Sequence, residues 1–273
     1  VISDPRLGAI TMGIFRMRKL LWGAAAALAI TAPAVAHADT TGHIDLGWTN
    51  TGIGDGFGNY NAYSLGGAVQ TEAAPGWTVQ LDGNTMTQTW DHSHYDYSHG
   101  YAALHADTTL DTFDVGAFVG MQNFYGESGK LIGLEGRTAF DNISLQASTA
   151  YTTFRYGSSF SAWDARIAGN YFLQPNWAIN AGIVGTWINP HGTHVQMAEY
   201  SIGTTYKFNC PMSVSLDYTR SSDDYRHSHT YDGNTVMLGL HWNFGAGTLQ
   251  DDTNHGASWS GAQALENSFA RWD

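Results

Sequence analysis

Histidine and aspartate cluster where they could take a cation. Residues 90–99 read W-D-H-S-H-Y-D-Y-S-H, residues 191–194 read H-G-T-H, and residues 227–229 read H-S-H. In an extended chain, residues i and i+2 share a face, so His92/His94 and His227/His229 each present two imidazoles to one side. With Asp91, Asp96, Asp223, Asp224 and Asp232 near them, these donors would suit Zn²⁺ or Cu²⁺. The plainer reading is a polar loop that only titrates, because flexible segments hold metals poorly. His92, His94, His227 and His229 are therefore weak candidates, and no metal site is expected. A second set is nucleophilic. If the last hairpin pairs 219 with 235, Ser213 lies opposite His241, near His43 and Asp45, which makes a Ser-His-Asp set conceivable. Ordinary polarity explains the same residues, and no strained nucleophile turn is visible. Gly52–Gly58 is glycine-rich but lacks the lysine of a phosphate-binding loop, and no cofactor is expected. The one cysteine, Cys210, excludes a disulfide framework and a cysteine-cluster zinc site.

The elements that must position these residues are strands. From His43 onward, apolar residues recur at every second position. Phe113, Val115, Ala117, Val119 and Met121 alternate with Asp114, Gly116, Phe118 and Gly120, and Val236, Leu238, Leu240, Trp242 and Phe244 alternate with Met237, Gly239, His241 and Asn243. Twelve such segments are expected, near 42–52, 61–72, 77–89, 98–109, 112–122, 131–140, 143–153, 161–172, 177–188, 196–208, 212–220 and 234–244. Tight turns such as Leu110-Asp111 and Asp141-Asn142 alternate with longer connections such as 90–97 and 221–233. Short turns on one side, long loops on the other and an even strand count mark a transmembrane barrel. The expected fold is all-β, an antiparallel up-and-down transmembrane β-barrel of about twelve strands. Trp48, Trp77, Trp90, Tyr151, Trp163, Trp177, Trp187, Tyr206 and Phe208 are candidates for interfacial girdles.

If the apolar face meets lipid, the other face lines a lumen. It carries the acids Asp45, Asp82, Asp107, Asp114, Glu135, Asp164, Glu199 and Asp217, against three bases, Arg137, Arg166 and Lys207. Glu135/Arg137 and Asp164/Arg166 are i,i+2 pairs on one strand face. They would either orient solutes across an eyelet or pair and close the lumen. The excess of acid favours cations in an open lumen.

Composition agrees. Aromatic and charged residues are each 13% of the 273-residue chain, and the formal net charge is −12. Few charges and many aromatics suit strands and turns, and the acidity argues against a nucleic-acid partner. At the start, Arg16-Met17-Arg18-Lys19 precedes an apolar run from Leu20 to Ile30, and Ala36-His37-Ala38 supplies small residues before Asp39. That order is a secretory signal peptide, so 1–38 is expected to be leader and signal, cleaved near Ala38, with 1–16 translated leader upstream of Met17.

The last strand carries a resemblance. Val236-Met237-Leu238-Gly239-Leu240-His241-Trp242-Asn243-Phe244 resembles the assembly signal of Gram-negative outer-membrane β-barrel proteins: a glycine, then alternating aromatics ending in phenylalanine, here Gly239, Trp242 and Phe244. The resemblance covers about 39–244. It implies a bacterial outer-membrane location, insertion by the barrel-assembly machinery, outer-membrane lipid as the surrounding partner, and a small porin-like family. It departs in one respect: the signal normally ends the protein, whereas here the chain continues to Asp273.

Three segments follow: 1–38 leader and signal, 39–244 barrel, and 245–273 a periplasmic tail. Within the tail, Gly245–Gly256 is polar and glycine-rich and reads as a linker. Ala262, Leu265, Phe269 and Trp272 then recur at helical spacing behind a Ser260-x-x-Gln263 capping box. A polar lumen would not bury that stripe, so the helix is expected at the periplasmic rim as a partial cap. The functional expectation is a non-enzymatic porin-like barrel for small cationic or neutral solutes. The alternatives are a closed structural or adhesive surface barrel and an outer-membrane hydrolase.

Overall fold

The computed structural model describes residues 40–54, 58–91, 96–124, 127–156, 158–189, 195–225, 230–245, 247–264 and 267. The leader and cleavage site, His92, His94, His191, His194, His227, His229, Leu265, Phe269 and Trp272 lie outside them. Twelve strands run β1 (Thr41–Ile53), β2 (Gly58–Ala74), β3 (Trp77–Trp90), β4 (Asp96–Leu110), β5 (Phe113–Phe124), β6 (Glu127–Phe140), β7 (Ile143–Tyr156), β8 (Ser158–Gln174), β9 (Trp177–Asn189), β10 (Val195–Lys207), β11 (Met212–Tyr225) and β12 (Thr230–Phe244). Each pairs antiparallel with its chain neighbours, and β1 closes on β12 with Gly47 opposite Gly239. Closure leaves no unpaired strand edge in the lipid.

The short turns have their own chemistry. Pro75-Gly76 puts Gly76 at φ 76, the position of a type II turn where a Cβ is disfavoured. Asp111 and Asp141 sit at φ 60 and 50 in two-residue turns, a conformation aspartate tolerates better than most residues. Several strands outrun the hydrophobic alternation at the opposite, long-loop end. β11 and β12 continue in register to Asp224 opposite Thr230, where the sequence suggested a loop from 221 to 233. The alternation stops where lipid stops, but the ladder needs only backbone. The exposed pair Arg220–Asp232, 2.6 Å apart, marks this watery extension.

The outer face is apolar through the middle: Ile44, Leu46, Leu104, Val119, Ile132, Leu134, Ile167, Ile183, Ile202 and Leu238 are all exposed. Soluble monomers rarely expose an apolar belt of that extent. Aromatics bracket it. Trp77, Phe113, Phe140, Tyr171, Trp177, Tyr206 and Trp242 ring the short-turn end, and Tyr63, Tyr151, Trp163 and Tyr200 lie toward the other. Trp163 also stacks on Trp187 at 4.1 Å between centroids. Trp90 differs from the girdle expectation: it packs with Tyr60 and Met86 on the inner side.

The tail differs most. Residues expected to be linker contain a helix, α1 (Leu249–His255), and a further helical stretch covers 261–264. The chain from 257 to 264 sits inside the barrel, where Ala257, Trp259, Ala262 and Ala264 are buried. The lumen is not polar throughout. Inward-facing Tyr101, Phe118, Phe124, Leu131, Phe154, Ile188, Val195 and Met197 form one apolar cluster, which includes Ala262. That lining gives Ala262 an internal surface, while the rest of the stripe expected at the rim, Leu265, Phe269 and Trp272, lies outside the described residues.

Candidate functional site

All the lumen residues expected from the alternation face inward. Asp82, Asp107, Glu135, Arg137, Asp164, Glu199 and Lys207 are buried, and Asp45, Asp114, Arg166 and Asp217 are half-buried. The expected same-strand pairs Glu135/Arg137 and Asp164/Arg166 do not form. Arg137 donates from Nε to Asp114 Oδ2 at 2.7 Å, its direct partner across the β5–β6 ladder. Residues i and i+2 are nearly 7 Å apart along a strand, while cross-strand partners stand about 5 Å apart. Asp164 instead accepts from the backbone N–H of Ala150 at 2.8 Å.

One cluster had no counterpart in the sequence reading. His105, fully buried on β4, meets Asp82 Oδ1 through Nε2 at 2.9 Å and Glu135 Oε1 through Nδ1. Tyr101 donates its hydroxyl to the other Asp82 oxygen at 2.9 Å. Donation to both carboxylates requires the imidazolium form. The available signal was parity: His105 is an inward histidine one strand from Asp82 and two strands from Glu135.

The three lumen bases all address the tail. Lys207 Nζ meets Asp252 Oδ2 of α1 at 2.8 Å. Arg137 Nη1 donates to Ser258 Oγ at 2.7 Å and to the Gly256 carbonyl at 3.3 Å, with its guanidinium over the Trp259 ring. Arg166 Nη1 donates to Ser260 Oγ at 3.0 Å. Uncharged side chains add to the contact, and Gln70 donates to the His255 carbonyl at 3.1 Å. Gln80 gives Nε2–H to the Trp259 carbonyl at 2.8 Å and accepts the Trp259 N–H at 3.1 Å, and Gln146 donates to the Ser258 carbonyl at 3.0 Å. At the mouth, α1 is tied to the short turns: Leu249 N–H donates to Asn176 Oδ1, Gln250 N–H to the Pro175 carbonyl, and the Gln250 amide to the Asp141 carbonyl. Burial pushes the Asp252 carboxyl above its ordinary value, against the lowering by Lys207.

The described part of the tail does not fill the lumen. A cavity of about 470 Å³ with mixed polar and apolar lining remains beside it, bordered by β1–β4 and β8–β12 together with Asp252, Trp259 and Gln263 of the tail. Its charged lining includes Asp45, Asp82, Glu199, Asp217 and Asp252 against Arg166. In its wall His241 Nδ1 meets Asp45 Oδ1 at 2.7 Å and Nε2 meets Ser215 Oγ at 3.1 Å, while His43 holds the second Asp45 oxygen at 3.2 Å. Ser213 does lie opposite His241 in the ladder, but it is bonded by Asn243 instead. The serine within reach of the imidazole is thus one inward position along, Ser215. Of the assembly-signal residues, Gly239 lies beside Ser215 and His241 in the wall, and Trp242 is exposed on the outer face.

No family model and no curated protein matches the sequence. Solved structures do match. An outer membrane channel from Pseudomonas putida F1 gives a TM-score of 0.57 at 11% identity, over 76% of this chain and 95% of that one. The CymD monoaromatic hydrocarbon channel gives 0.50 at 8% identity, over 76% of this chain and 88% of its own. Identities this low speak to fold and not to solute. The chain has the architecture of outer-membrane β-barrel proteins.

Proposed function

We propose that this protein is an outer-membrane channel through which small polar solutes diffuse, with cations and neutral solutes favoured over anions. The observation that carries the reading is the cavity beside the tail, whose lining holds more acids than bases. Low-dielectric walls focus the field of such charges onto a passing ion. The apolar belt then meets outer-membrane lipid, the short-turn end faces the periplasm, and residues 1–38 serve export. Gly239, Trp242 and Phe244 present the final strand to the assembly machinery. The two matched channels agree with a transport role. Liposome swelling tests it: liposomes containing the folded protein should admit small sugars and basic amino acids faster than acidic amino acids of equal size. Swelling no faster than that of protein-free liposomes would refute the reading.

A second reading rests on the Asp45–His241–Ser215 relay, the bonding order of an acyl-transfer triad. It requires Ser215 to react with a fluorophosphonate probe and a Ser215→Ala variant to lose the label. An unlabelled wild-type protein removes it.

A further inference from the structure

We infer that the lumen wall of β3, β6, β7 and β8 is a binding site for an extended peptide, with the chain's own C-terminal segment as its resident, detachable ligand. The contacts made by 256–260 are those of a recognised peptide. Gln80, itself fully buried, makes both hydrogen bonds to the backbone of Trp259, as a neighbouring strand would. Arg137 and Gln146 take the carbonyls of Gly256 and Ser258, and Arg137 also covers the indole ring. The segment is shaped for close approach: a Cβ on Gly261 would lie 2.7 Å from Phe118 Cε1 and 3.0 Å from Glu135 Oε2. Ala257, Ala262 and Ala264 are small and buried beside it. The twelve strands and their closing ladder pair with one another and take no strand from it. The contacts named here between it and the wall are all non-covalent.

The same contacts occupy Arg137, Arg166 and Lys207, the three bases of the wall. With the segment bound, all three bond to the tail, and Arg166 still borders the otherwise mainly acidic remaining cavity. With the segment gone, three guanidinium and ammonium groups line a wider lumen. The peptide is therefore both a plug and the element that makes the path acidic. This second consequence rests on the channel reading; the binding does not.

The test uses the full chain, folded whole, with a protease site inserted after Gly245 and then cut. The freed peptide should stay with the barrel through gel filtration. It should leave about tenfold faster or more from a Gln80→Ala/Arg137→Ala barrel, given what hydrogen bonds to charged groups contribute. Synthetic peptide 246–273 added back should restore the blue-shifted emission of a buried Trp259. Equal dissociation from wild-type and variant barrels would overturn the site. In planar bilayers, washing out the peptide should raise conductance and move the KCl-gradient reversal potential toward chloride. Higher conductance at unchanged reversal potential would overturn the masking of the bases. Absence of conductance in both states would defeat the channel reading while leaving the binding result intact.

Discussion

His105 holds two carboxylates of different strands on one ring, and each depends on it. Without the imidazole, Asp82 and Glu135 are buried acids that have lost their hydrogen-bonded cation. Breaking such a cluster from one side costs about 3–5 kcal/mol, because the charge left behind stays desolvated. His105→Ala should therefore lower the urea midpoint of the barrel markedly, read by loss of the heat-modifiable folded band on a gel. An unchanged midpoint would mean that water or a proton replaces the histidine at no cost. At this scale the sequence was readable for direction but not for partner. Alternation assigned Asp82, Glu135, Arg137 and Arg166 to the lumen, but pairing depends on cross-strand register. Asp114 opposite Arg137 follows from the β5–β6 register and not from spacing along β6.

The tail shows the same limit for elements. Helix α1 is polar and only seven residues long, so no apolar stripe announces it. A helix of that length is not stable alone. It forms because Thr248 and Asp251 make a capping box and because Asn176, Pro175 and Lys207 receive it. The Thr248-x-x-Asp251 spacing was the signal available in the sequence. The Thr248 hydroxyl and N–H hold the Asp251 carboxyl below its ordinary value. The cap is therefore complete above the ordinary carboxylate range and is lost only as pH falls through that lowered value. Thr248→Ala should cost about 1 kcal/mol of local stability, seen as faster hydrogen exchange across 249–255 with the strands unaffected. Equal protection would mean that the mouth contacts alone hold the helix.

At the scale of the molecule, twelve strands, their order and their outer face were legible because a period of two in hydrophobicity reports one thing, contact with lipid. What occupies the lumen was not. Phe118, Phe124, Leu131, Phe154 and Met197 break the polar inner pattern at scattered places in the chain, and only barrel closure brings them together as one surface. Topology has a direct probe in Cys210, which is exposed in the turn between β10 and β11 at the short-turn end. An impermeant thiol reagent should spare it on intact cells and label it once the outer membrane is opened. Labelling on intact cells would invert the proposed orientation.

The claim that joins these scales is a conducting, acid-lined passage beside the docked tail. Single-channel recording of the full chain in planar bilayers under a KCl gradient addresses it most directly. Discrete steps of low conductance are expected, with a reversal potential on the potassium side. A folded, inserted protein that gives no steps, or steps that reverse on the chloride side, would contradict it.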